Sequence, residues 1–164
     1  MRLGRLARGF RRLGHRDRVR LAAAWSLLGL TRLAILLLPF SLVRRALGER
    51  RDSHIATRPA DPDRAGLVRA ARIGATIRLA ARHTPWRSEC YPQALTARLL
   101  LGLARVPHVV SFGVRRDGDA LVAHAWVHVG GVTVTGGTGH AYTEVGSFVW
   151  APRGRSTGRR ARWS

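Results

Sequence analysis

CYPQALTARLLLGLARVP (90–107), HVVSFGVRR (108–116), DGD (117–119), ALVAHAWVHV (120–129), GG (130–131) and VTVT (132–135) together form the stretch that decides the fold. The first segment has the apolar density of a helix, and Pro92 limits where that helix can begin. Proline is tolerated in a first helical turn, where its missing N–H costs nothing. Cys90 therefore stands at or just before a helix N-terminus, and Gly102 and Pro107 bracket the helix end. Three strands follow, over 108–116, 120–129 and 132–135, with Asp117-Gly118-Asp119 as the first turn and Gly130-Gly131 as a two-residue hairpin loop. The expected class is α+β.

Unpaired N–H groups and the positive end of the helix dipole favour a thiolate at Cys90 and could hold a developing oxyanion. Gln93 is a candidate additional donor, and Glu89 opposes the thiolate. Side chains alternate along a strand, so His124, Trp126 and His128 share one face. A simple Gly-Gly loop pairs Val129 with Val132 and Trp126 with Thr135, which sets His124 diagonal to Thr135 and opposite Gly137. A cysteine at a helix start followed by a histidine in a sheet is what nucleophilic thiol catalysis requires. Cys90 is the candidate nucleophile and His124 its candidate base.

Upstream, Asp61-Pro62-Asp63 opens a helix near Arg64 that runs through AGLVRAARIGATIRLAARH, with Leu67, Ile73, Ile77 and Leu79 on its apolar face. Residues 49–64 read as a polar surface connection. The apolar stretch LAAAWSLLGLTRLAILLLPF (21–40) reads as a helix over most of 21–38, ended by Pro39 and buried in protein. Its length invites a membrane span, but Arg32 near its middle would be expensive in lipid. Peripheral membrane association stays open. The expected organisation is an Arg-rich segment (1–20), a helical region (21–60), the core (61–150) and a basic tail (151–164).

The chain has 164 residues, 46% of them hydrophobic, enough for one compact domain. Basic residues number 29 against 9 acidic, a net charge of +20, and every basic residue is arginine. Such a charge favours acidic partners: an acidic peptide, RNA or anionic lipid. One cysteine excludes an internal disulfide and the common structural zinc patterns. It reads either as a small buried hydrophobe or as a reactive thiol.

Cys90-Tyr91-Pro92-Gln93-Ala94-Leu95, Phe112-Gly113-Val114, Ala123-His124-Ala125-Trp126-Val127 and Val134-Thr135-Gly136-Gly137 resemble the lasso-peptide leader peptidases. These are the microcin-processing proteins of the transglutaminase-like superfamily. The resemblance implies a transglutaminase-like (papain-like) core and a cytoplasmic bacterial hydrolase that uses no cofactor and no metal. It implies removal of the leader from a ribosomally made lasso precursor peptide, so that a ring-closing synthetase can act. Cys90 carries over as nucleophile and His124 as general base. The family's third residue is acidic or an amide on the strand after the histidine, and 125–141 contains no Asp, Asn or Glu. Thr135 occupies roughly that place; a main-chain carbonyl or Glu144 are the alternatives. Trp126 is a candidate substrate-binding residue. Residues 1–60 carry no winged-helix or sheet pattern, which implies a separate leader-recognition protein.

Two other classes compete. A basic nucleic-acid-binding module would use the charge and the five tryptophans, but the arginines are strung along the chain, so no nucleic acid is expected. A membrane-associated helper without catalysis is the second. A metal site fails on spacing, since His124 and His128 stand about 13 Å apart along a strand.

Overall fold

The computed structural model describes residues 14–39, 41–42, 49–51, 62–137 and 139–152. The first thirteen residues of the Arg-rich start, the 52–61 part of the polar connection and the tail beyond Pro152 lie outside them. The elements run α1 (His15–Leu37), β1 (Glu49–Arg51), α2 (Arg64–Ala81), α3 (Cys90–Leu103), β2 (His108–Asp117), β3 (Ala120–Val129), β4 (Val132–Thr135) and β5 (Thr143–Trp150). α2 and α3 cover one face of a five-stranded antiparallel sheet of order β1-β5-β2-β3-β4, and α1 packs on those two helices.

α1 starts well before Leu21 and ends where Leu38 turns extended, as the residue before a proline must. Only Ala24, Leu28 and Thr31 are buried along its length. The expectation of a helix buried in protein is corrected: α1 packs on α2 and α3 through one face, and no layer of the described residues lies beyond the other. It is nonetheless part of the common core, since Ala24 and Leu28 join the same cluster as Ala94 and Val127.

α2 opens on Asp63, whose carboxylate accepts from Gly66 N at 2.7 Å, a side-chain cap that satisfies one orphan amide. Its buried face is built from the expected Ile77 together with the small residues Gly66, Ala70, Gly74 and Ala80. Leu67 and Ile73 are only partly buried, and Leu79 is exposed. The small residues let α2 lie directly on β4: a Cβ at Gly74 would stand 2.5 Å from Val134 O, and Arg78 donates to that carbonyl at 2.7 Å.

Both hairpins form. Asp117 pairs with Ala120 around Gly118 (φ 61°), and Val129 pairs with Val132 around Gly130 (φ 56°). Beyond Val129 the register departs from a simple ladder. His128 pairs with Thr133 but Val127 pairs with Thr135, so β4 bulges at Val134. One extra residue shifts every later side chain to the other face. Two strands were not expected: β5 lies between β1 and β2, and β1 comes from the stretch read as a connection.

The helix-facing side of the sheet carries Val110, Ala125, Val127, Val129 and Phe148, with Phe112 packed against them. His124, Trp126 and His128 therefore project from the opposite side.

Candidate active site

Cys90 is the first residue of α3, half-buried and free. The first helical hydrogen bond runs from Gln93 N to Glu89 O at 3.3 Å, and Pro92 has no N–H. The open backbone donors at this end therefore belong to Cys90 and Tyr91. Glu89 is the N-cap but does not cap with its side chain; its carboxylate pairs with Arg87 at 3.1 Å in an exposed ion pair. That pairing turns the one nearby negative charge toward solvent, where it opposes a thiolate least.

The loop before Cys90 is held by side chains. The Thr84 hydroxyl lies 3.0 Å from the carbonyls of Ala81 and Trp86 and 2.9 Å from the Ser88 hydroxyl. Gln93 Nε2 donates one of its two N–H groups to Ser88 O at 2.7 Å, which fixes this loop. α1 contributes directly. Thr31 Oγ1 lies 3.3 Å from Pro92 O and 3.2 Å from Thr96 Oγ1, and Trp25 meets Trp86 at a 57° tilt with ring centroids 4.7 Å apart. Tyr91 meets Phe112 edge-on at 5.6 Å, and burial raises its phenol above the ordinary value.

His124 lies in an aromatic stack. Its ring is 4.6 Å from Tyr142 and 6.0 Å from Trp126, both within 22° of parallel, and Arg115 lies over the Tyr142 ring at 5.4 Å. Nε2 lies 2.5 Å from the carbonyl of Gly136. A carbonyl only accepts, so Nε2 carries the proton and Nδ1 keeps the lone pair of the neutral ring.

Thr135 is corrected as the orienting residue. The bulge places it opposite Val127 on the helix-facing side, buried, with no partner for its hydroxyl among the described residues. The neighbouring backbone does the work, as one of the two alternatives allowed. Trp126 is corrected as a substrate-binding residue. It is 5% exposed, and Gly113 and Gly139 clear the space its indole fills. It is a platform beneath His124. Tyr142 was missed because nothing in TGHAYTE (138–144) marks it as adjacent to the β3 histidine.

The structure does not join Cys90 to His124. No hydrogen bond links them among the described residues, and the two belong to opposite sides of the sheet. β4 pairs with β3 only from Val127 onward, however, so at His124 the strand is bonded to β2 alone. No group of three His, Cys, Asp or Glu residues forms a metal site among the described residues. His128 lies 3.4 Å from the Thr133 hydroxyl, and desolvation is the main cause of its lowered pKa.

A family model described as the transglutaminase-like superfamily matches residues 34–147. No curated protein and no solved structure matches the chain.

Proposed function

The chain belongs to the transglutaminase-like superfamily, and on that premise we propose that it is a cysteine peptidase that removes the leader from a lasso-peptide precursor. The observation that carries the peptidase reading is the position of Cys90, half-buried at the first residue of α3 beside two open N–H groups. The Cys90 thiolate attacks the scissile carbonyl, and the resulting oxyanion faces the N–H groups of Cys90 and Tyr91. His124 takes the thiol proton on Nδ1 and returns it to the leaving amine; water then releases the acyl group and regenerates the thiol. For this Cys90 and His124 must meet, a contact not found among the described residues.

The lasso substrate rests on the motifs at 90–95 and 123–127. Leader recognition is assigned to a separate partner protein, because the elements described within residues 1–60 are α1 and the three-residue strand β1, which joins the core sheet. The test mixes purified protein with a lasso precursor peptide, with and without that partner, and follows leader release by mass spectrometry. Release should need Cys90 and rise when the partner is added. Undiminished release by Cys90→Ala protein overturns the peptidase reading, and full release without the partner overturns the split arrangement.

The separation of Cys90 and His124 by the sheet favours a second reading, a domain that binds a peptide without cutting it. Peptide binding with no release under any of these conditions would select it.

A further inference from the structure

α1 is apolar on both sides. Its inward face carries Ala24, Leu28 and Thr31, and the face directly opposite carries Val19, Leu30, Leu33 and Leu37. The three leucines are 59%, 51% and 70% exposed, and Leu38 and Leu42 extend the exposed apolar surface beyond the helix. A helix hydrophobic all round ordinarily has both faces covered. This one is long and apolar enough to cross a bilayer, yet only 17% of its most apolar window is buried inside the protein. Because α1 is bolted to α2 and α3, the available geometry is to lie along an interface rather than to span it.

The outer stripe runs at its N-terminal end into a groove of about 290 Å³ between the three helices. Val19, Ile73 and Leu100 line it together with the side chains of Arg20, Arg69 and Arg72. Arg20 is paired with Asp17 at 3.0 Å, and Arg69 reaches Asp63 only at 3.9 Å, an exposed and weak pair. A lining of apolar and arginine side chains suits a molecule with an acyl chain and an anionic head.

We infer that the outer face of α1 docks on an anionic bilayer surface, with the α1–α2–α3 groove seating the chain and headgroup of an acidic phospholipid. Charge decides between occupants. A second copy of the chain would bring +20 against +20, whereas an acidic lipid surface is complementary. This inference is independent of the peptidase reading, since neither Cys90 nor His124 takes part.

The test is flotation of the full chain with vesicles of phosphatidylcholine alone or with phosphatidylglycerol added. Wild-type protein should float with the acidic vesicles, weakly or not at all with the neutral ones, and partly detach at high salt. Leu30→Gln/Leu33→Gln/Leu37→Gln should lower partitioning at least about tenfold, because the apolar insertion is lost while the charge is unchanged. These side chains are exposed, so circular dichroism should find the fold intact. Arg69→Gln/Arg72→Gln leaves the stripe untouched and should reduce the preference for acidic over neutral vesicles. The inference fails if wild type does not float, or if the leucine substitutions leave flotation unchanged. It fails equally if sedimentation shows a dimer that those substitutions dissociate, with no vesicle binding.

Discussion

Nε2 of His124 and the carbonyl of Gly136 are 2.5 Å apart, which fixes the tautomer of the ring and leaves Nδ1 free for chemistry. Gly136 sits at φ +81°, and a Cβ there would stand 2.3 Å from Ala125 O. Glycine is required twice, for the positive φ and for the close approach. Gly136→Ala should therefore cost at least about 2 kcal/mol in urea unfolding and lower turnover, because the acceptor moves with the backbone.

Thr135→Val should behave differently. The hydroxyl is buried without a partner among the described residues, and replacing it by a methyl removes an unsatisfied group from the core. Stability should rise by about 1 kcal/mol or stay level, and turnover should be unchanged. A marked loss of activity in this variant would return Thr135 to the site.

The thiol itself can be probed without a substrate. If Cys90 is the nucleophile, iodoacetamide should alkylate it faster than an ordinary exposed thiol near neutral pH. His124→Ala should slow that labelling if the two groups meet in solution, and leave it unchanged if the sheet keeps them apart. Turnover should fall by ~10²–10⁴ in the same variant.

A pH-dependent stability comes from His108. This fully buried imidazole bonds Val106 O through Nδ1 at 2.8 Å, while its Nε2 has no partner among the described residues. Burial is the main cause that lowers its pKa to about 4 from 6.5, and the bond to Val106 opposes the shift. The unfolded chain takes up the proton first as pH falls. The stabilisation is therefore complete above pH 6.5 and is lost as pH falls from there to about 4. The difference corresponds to about 3 kcal/mol. His108→Phe keeps a ring against Trp150, which stacks on it at 5.2 Å, and should flatten this dependence in urea titrations at pH 7.5 and 5.

Helix-to-sheet contact can be tested at two glycines. Gly74→Ala would drive a methyl into the Val134 carbonyl and should destabilise by at least about 2 kcal/mol, despite alanine's better helix propensity. Gly131→Ala meets nothing within 4 Å and should lie within about 0.5 kcal/mol of wild type. Thermal unfolding of the two variants checks both values.

The parts of the fold legible in the sequence are those written in local chemistry. Pro92 fixed the start of α3, Asp63 the start of α2, and the Gly118 and Gly130 turns the two hairpins. The bulge at Val134 was not legible, because nothing in VTVT distinguishes a regular strand from one carrying an extra residue. That single residue reverses the facing of Thr135. β5 was missed because Gly146 interrupts TEVGSFVW, and its partners β1 and β2 are distant in sequence. The outward face of α1 was misjudged for another reason. An apolar helix declares that it wants cover on all sides, but the sequence does not say how many neighbours the fold provides.

Strand order β1-β5-β2-β3-β4 also governs how the molecule can be made. α3 and the β2–β3–β4 meander join neighbours in sequence and can assemble as they leave the ribosome. β1 is synthesised long before them but has nothing to pair with until β5 arrives to lie between it and β2. A nascent chain stalled before Thr143 would hold a finished hairpin beside an unpaired β2 edge, a template for joining another chain. Completion of the sheet is thus timed by its last strand to be translated.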